Sequence, residues 1–173
     1  MTRKDFITAL IALITAFAPK PGRAQEIKIV DYGLYTAKDV KVVQDSRSPT
    51  GQARTIEADL AKQTDLVPAV LNTKFGFRFR VLGLPEGATA RLRLRFTFPE
   101  MVNPGTGKVS TVYEGFGDVP VAPHTQGMFW DFVHPWEMRP GQWTMSIYNG
   151  DRLLVQKKFT IIDDSKSGRS VRL

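Results

Sequence analysis

Residues 74–82, KFGFRFRVL, alternate strictly. Phe75, Phe77, Phe79 and Val81 fall on one side, and Lys74, Gly76, Arg78 and Arg80 on the other. Residues 91–98, RLRLRFTF, repeat the pattern: Leu92, Leu94, Phe96 and Phe98 against Arg91, Arg93, Arg95 and Thr97. A period of two belongs to extended chain, whose successive side chains point to opposite faces, and not to a helix. Fully burying each large apolar side chain is worth about 1.5–3 kcal/mol, so these two segments supply a major part of any core. Between them lies GLPEGAT, rich in turn residues, and the pair is expected to form a β-hairpin.

The end of the chain follows the same logic. Residues 142–148, QWTMSIY, place Trp143, Met145 and Ile147 on one face. Residues 152–162, RLLVQKKFTII, offer Leu153, Val155, Phe159 and Ile161 as inward positions. Asn149-Gly150 joins them, a dipeptide suited to positive φ in tight hairpin turns. Weaker strands are expected at 26–35, 53–62, 108–116 and 127–132. A helix competes at 53–62, where Ala, Glu, Leu and Lys also suit helices. Residues 45–52 and 103–107 read as loops. Seven to nine short strands imply an all-β fold: an antiparallel β-sandwich of immunoglobulin or fibronectin type, with a small barrel as the alternative. The chain has no cysteine, so an inter-sheet disulfide and thiol chemistry are excluded.

Ahead of this domain, Arg3 and Lys4 precede the uncharged apolar run from Phe6 to Phe17. Spanning a bilayer takes roughly 20 apolar residues, so the run is short for an anchor. Pro19 and Pro21 break any helix, and Gly22 and Ala24 are small residues suited to a cut before Gln25. Residues 1–24 are therefore expected to be a signal helix that is cleaved, leaving a β-sandwich at 25–162 and a polar tail at 163–173. The expected location is periplasmic or secreted, with no transmembrane segment after cleavage. Loss of Arg3, Lys4, Lys20, Arg23 and Asp5 lowers the formal charge from +7 to +4, an ordinary value for solubility.

Further residues join this pattern: the Gly83-Leu84-Pro85 turn, PEMVNPGTGK from Pro99 to Lys108, and Trp136-Glu137-Met138-Arg139-Pro140-Gly141-Gln142-Trp143. With KFGFRFR, they give the chain from Tyr32 to about Ile162 a resemblance to a bacterial family of exported proteins, domain-of-unknown-function family 3859. The resemblance implies the domain boundary and carries no known activity.

Three features bear on function. In a hairpin pairing Phe79 with Leu94, Arg80 would face Arg93 and Arg78 would face Arg95. Opposed like charges destabilise a sheet, so something must offset them. Outward carboxylates such as Glu57 and Asp59 are the structural answer. A binding face for an anion is the functional one, since the guanidinium fork suits carboxylate and phosphate. The candidate binding residues are thus Arg78, Arg80, Arg93 and Arg95.

The second feature is HTQGMFWDFVHPWE at 124–137, which holds His124, Asp131, His134 and Glu137. The spacing matches no metal site, and no metal or cofactor is expected. The third is aromatic density. Trp130, Phe132 and Trp143 read as core, while Trp136, beside Pro135, is the candidate for exposure and ligand stacking.

No nucleophile elbow, phosphate loop or dinucleotide fingerprint occurs. Nucleic acid is not an expected partner. The leading reading is a non-catalytic envelope binding module whose partner is an envelope protein or an anionic polymer. A carbohydrate-binding module and an unrecognised hydrolase are the alternatives.

Overall fold

The structure is a computed structural model that describes residues 25–121 and 125–163. The leader expected over 1–24, His124, and the polar tail beyond Asp163 lie outside the described residues. Two sheets make up the fold. The smaller contains β1 (Glu26–Gln44), β2 (Gln52–Lys62), β4 (Lys74–Leu82) and β7 (Gln126–Asp131), in the order β2-β1-β4-β7. The larger contains β3 (Leu66–Pro68), β5 (Thr89–Val102), β6 (Val109–Pro120), β8 (Gly141–Asn149) and β9 (Arg152–Ile162), in the order β3-β9-β8-β5-β6. All pairings are antiparallel except β3 with β9. Among the described residues, the one helical element is a 3₁₀ turn at Pro135–Glu137, and no helix is long and apolar enough to cross a membrane.

The expected faces are present. Phe75, Phe77, Phe79 and Val81 of β4 are buried, as are Leu92, Phe96 and Phe98 of β5. Trp143, Met145 and Ile147 of β8 complete the larger sheet's inner face. Aromatic contacts cross the core: Phe75 lies 5.6 Å from Trp143 and 5.4 Å from Phe159, and Trp130 lies 5.4 Å from Phe96, Phe98 and Trp143. The segment 53–62 is strand, because its cross-strand pairing with β1 overrides helix propensity.

The expected 74–98 hairpin does not form. β4 pairs with β1 and β7, whereas β5 pairs with β6 and β8. The intervening 83–88 segment carries the chain from one sheet to the other, so the apolar faces of β4 and β5 meet across the core. Alternation fixes which side of a strand is apolar. It leaves open whether the matching apolar strand lies beside it or opposite it.

Two smaller corrections follow from local geometry. The turn between β8 and β9 is Gly150-Asp151, with Asn149 paired to Arg152 and Gly150 at φ +56°. Between Ile147 and Tyr148 the register shifts, because Tyr148 pairs with Leu153 and Ile147 with Val155. That bulge turns Leu153 outward and packs Leu154 against the core.

β1 is also longer than expected. Its first half pairs with β4 and its second with β2, overlapping only at Leu34 and Tyr35. Beyond Tyr35 the chain is a two-stranded ribbon. The ribbon tip, expected as a mobile loop, is tied down on the larger sheet. Lys108 Nζ donates to the carbonyls of Ser46 (2.8 Å), Arg47 (3.2 Å) and Ser48 (2.9 Å). Asn103 Nδ2 donates to Pro49 O at 3.1 Å, and the Tyr113 hydroxyl donates to Asp45 at 3.0 Å.

Candidate functional site

Because β4 and β5 belong to different sheets, the four candidate arginines occupy opposite outer surfaces and form no ladder. Arg78 sits on β4 between Asp31 of β1 and Gly127 of β7. Its Nε donates to Asp31 Oδ1 (2.9 Å) and Oδ2 (3.1 Å), and its Nη2 closes the fork on Oδ2. The Tyr35 hydroxyl donates to the same carboxylate at 2.6 Å. The hydrogen bonds from Arg78 hold Asp31 below the usual carboxylate range against the opposing effect of burial. Burial, and the bond to Asp31, push the Tyr35 hydroxyl up. Arg80 is exposed, stands opposite Lys28 and donates to Thr125 Oγ1 at 3.2 Å.

Arg93 and Arg95 lie on the outer face of the larger sheet. Register places Leu153, Tyr148, Arg93 and Phe116 in one row across β9, β8, β5 and β6. The next row is Gln156, Ser146, Arg95 and Glu114. The Arg93 guanidinium stacks 4.6 Å from the Tyr148 ring centre, and the Arg91 guanidinium lies 5.9 Å from that of Phe116. Glu114 lies 3.7 Å from Arg93 and 3.5 Å from Arg95. Asp151 lies 3.8 Å from Arg93, and Asp118 lies 3.7 Å from Arg91. These carboxylates balance the charge without satisfying every donor: Arg93 Nε and Arg95 Nε are buried and make no hydrogen bond. Phe116 is 57% exposed in the middle of this face, with Leu153 and Val112 also exposed. A shallow depression runs beside it, lined by Arg91, Arg93, Phe116 and the Gly150-Asp151 turn.

Glu57 and Asp59, the expected counter-ions, do not serve these arginines in any ion pair among the described residues; Asp59 pairs with Lys38 at 2.7 Å. The partners are Asp31, Glu114, Asp118 and Asp151, which strand order brings in from distant sequence. Phe116 escaped sequence reasoning, although a signal was present. In 113–118, YEGFGD, it shares its face with Glu114 and Asp118, an aromatic residue on a polar side.

Trp136 does not stand free. It is half-buried against the core in the 3₁₀ turn, and its ring stacks on His134 at 5.5 Å. The buried Glu137 organises that turn, its carboxylate accepting from the amides of Val133 (2.8 Å) and His134 (2.6 Å). Asp131 accepts from the buried Lys74 at 3.3 Å. Among the described residues, no three His, Asp or Glu side chains gather as a metal site.

A second concavity, about 150 Å³, opens between the edge strands β6 and β7. Leu94, Phe96, Tyr113 and Trp130 line it on the core side, the ribbon tip at Ser48 and Thr50 borders it, and His134 and Glu137 also contribute to its wall. Burial, followed by the bond to Asp45, raises the Tyr113 hydroxyl to about 12, so it stays protonated and donating. Asp45 is held at about 2, chiefly by hydrogen bonds from Arg47.

With this geometry in hand, residues 23–161 match a family described as a domain of unknown function, DUF3859. The chain belongs to the DUF3859 family. Its fold is similar to the crystal structure of an immunoglobulin-like protein from Pseudomonas aeruginosa, with a TM-score of 0.60 and 28% identity. That match covers 83% of this chain and all of the other. A β-glucosidase from Kluyveromyces marxianus aligns at 13% identity and a TM-score of 0.36, over 80% of this chain and 14% of its own, too weak a likeness to carry argument. No curated protein matches. This DUF3859 domain is therefore an immunoglobulin-like sandwich in two sheets.

Proposed function

We propose that this DUF3859 protein is exported to the bacterial envelope and acts there as a non-catalytic interaction module, docking a protein partner on the outer face of its larger sheet. The observation that carries the reading is Phe116, a large aromatic left 57% exposed among stacked arginines. Aromatic residues and arginine are the side chains enriched in protein interfaces. The leader read in residues 1–24 supports export. The interleaving of Arg91, Arg93 and Arg95 with Glu114, Asp118 and Asp151 favours a protein surface of mixed charge over an anionic polymer, which a net-cationic face would suit better. A sugar-stacking reading lacks its platform, since Trp130 and Trp143 are buried and Trp136 is half-buried.

A photo-crosslinking residue introduced at Phe116 in the full chain, in cells, tests both parts. The expected result is a periplasmic chain starting at Gln25, with one discrete protein adduct at Phe116 and none from the same probe at Arg80. The second expected result is that Phe116→Ser weakens the purified complex by more than tenfold while the thermal midpoint holds. An uncleaved cytoplasmic chain would sink the export reading. Equal adducts from both positions, or undiminished binding by Phe116→Ser, would sink the docking face.

A further inference from the structure

We propose that the free edge of β7 is a separate binding site, which takes an extended peptide segment of a protein partner as an added strand and receives one of its apolar side chains in the slot between β7 and β6. The site lies on the open side of the sandwich, away from the outer face discussed above, and rests on different observations.

The first observation is backbone direction. Phe132 N donates to Thr73 O at 3.1 Å, and Phe132 O accepts from Asn72 N at 2.8 Å, so Phe132 turns both groups inward to the sheet. A Cβ on Gly76 would stand 2.1 Å from Met128 O, so that carbonyl also faces β4. Strand alternation then directs the N–H and C=O groups of Gly127 and Phe129 to the free edge.

The second is the absence of a guard. Exposed sheet edges are ordinarily protected by lysine, proline or very short length. β3 is three residues long and ends in Pro68, and β6 carries Glu114, Asp118 and Pro120. β7, QGMFWD, has neither lysine nor proline.

The third is the slot itself. The inward positions of β6 facing Leu94 and Leu92 are Gly115 and Gly117. Two glycines stand where side chains would close the side of the sandwich, and a strand glycine often marks close approach by another backbone. Leu94 is consequently only half-buried, between the buried Leu92 and Phe96. The opening of about 150 Å³ matches a cavity that holds one benzene-sized group, hence one leucine or phenylalanine side chain. Its lining includes Asp131 and Glu137 but no lysine or arginine, so the fitting peptide is neutral or basic. Main-chain bonds to an edge, with a pocket for one alternating side chain, are the recognised mode of strand addition.

The test is amide NMR on the isotope-labelled full chain with the peptide Lys-Thr-X-Thr-Lys at millimolar concentration, X being Leu, Phe, Gly or Asp. The expected result is perturbation and slowed exchange of the Gly127 and Phe129 amides with Leu or Phe at X, weaker effects with Gly and none with Asp. N-methylation of the peptide's edge-facing amides should abolish binding. Gly115→Leu, which fills the slot, should lose the preference for Leu and Phe; the peptide series on the unaltered chain stands even if that variant does not fold. Silence at Gly127 and Phe129 for every X, indifference to N-methylation, or perturbation by cellohexaose in place of peptide would each overturn the proposal.

Discussion

Asp31 shows how much one residue decides when its partners come from elsewhere. Two oxygens accept from Arg78 and from Tyr35, and the carboxylate titrates below its ordinary value. A depressed carboxylate stabilises the fold fully above its unfolded pKa of about 3.9, and that stability is lost as pH falls through the lower folded value. Asp31→Asn should therefore cost about 1.5–3 kcal/mol at pH 7, the range for hydrogen bonds to charged groups. The cost should shrink below about pH 3, where the native carboxyl is also becoming neutral. Urea unfolding at the two pH values checks the sign, and a penalty independent of pH would refute the account. Nothing local announced this role. Asp31 lies 47 residues from Arg78, and only the β1–β4 register joins them.

At the scale of the element, the ribbon formed by the second half of β1 and β2 is the part least supported by the core. A two-stranded ribbon is marginal by itself in water, so its tip needs an anchor. Lys108 provides one by donating to three consecutive carbonyls, and Tyr113 fixes the neighbouring Asp45. Lys108→Met keeps the length of the side chain and removes the donors. It should speed tryptic cleavage after Arg47 severalfold while shifting the thermal midpoint by only a few degrees, since the loss is local rather than global. Timed digestion beside a melting curve measures both; unchanged cleavage would mean that the tip is held by something else. Residues 45–52 looked like an unstructured loop because no residue within them names Lys108 or Asn103 as its partner.

Across the whole molecule, the two arginine pairs are separated by the thickness of the sandwich. Arg78 and Arg80 face outward from one sheet, and Arg93 and Arg95 from the other. If the larger sheet docks the partner, Arg93→Gln should weaken the complex by about tenfold, in keeping with loss of a stacked arginine at an interface. Arg80→Gln should leave it unchanged. Titration of the purified complex with each variant distinguishes the faces, and equal losses would return the four arginines to a single surface.

The alternation in 74–82 and 91–98 was enough to name the inward phenylalanines and leucines, because parity along an extended chain is a local property. The all-β class followed from it, as did burial of Trp130 and Trp143. Strand neighbours did not follow. Whether β5 lies beside β4 or across from it is decided by competition among all the edges for partners, and β1, β6, β7 and β8 won that competition. The counter-ions of the arginines, the outward turn of Leu153 and the gap beside Gly115 are consequences of that pairing, so only the assembled sheets could decide them.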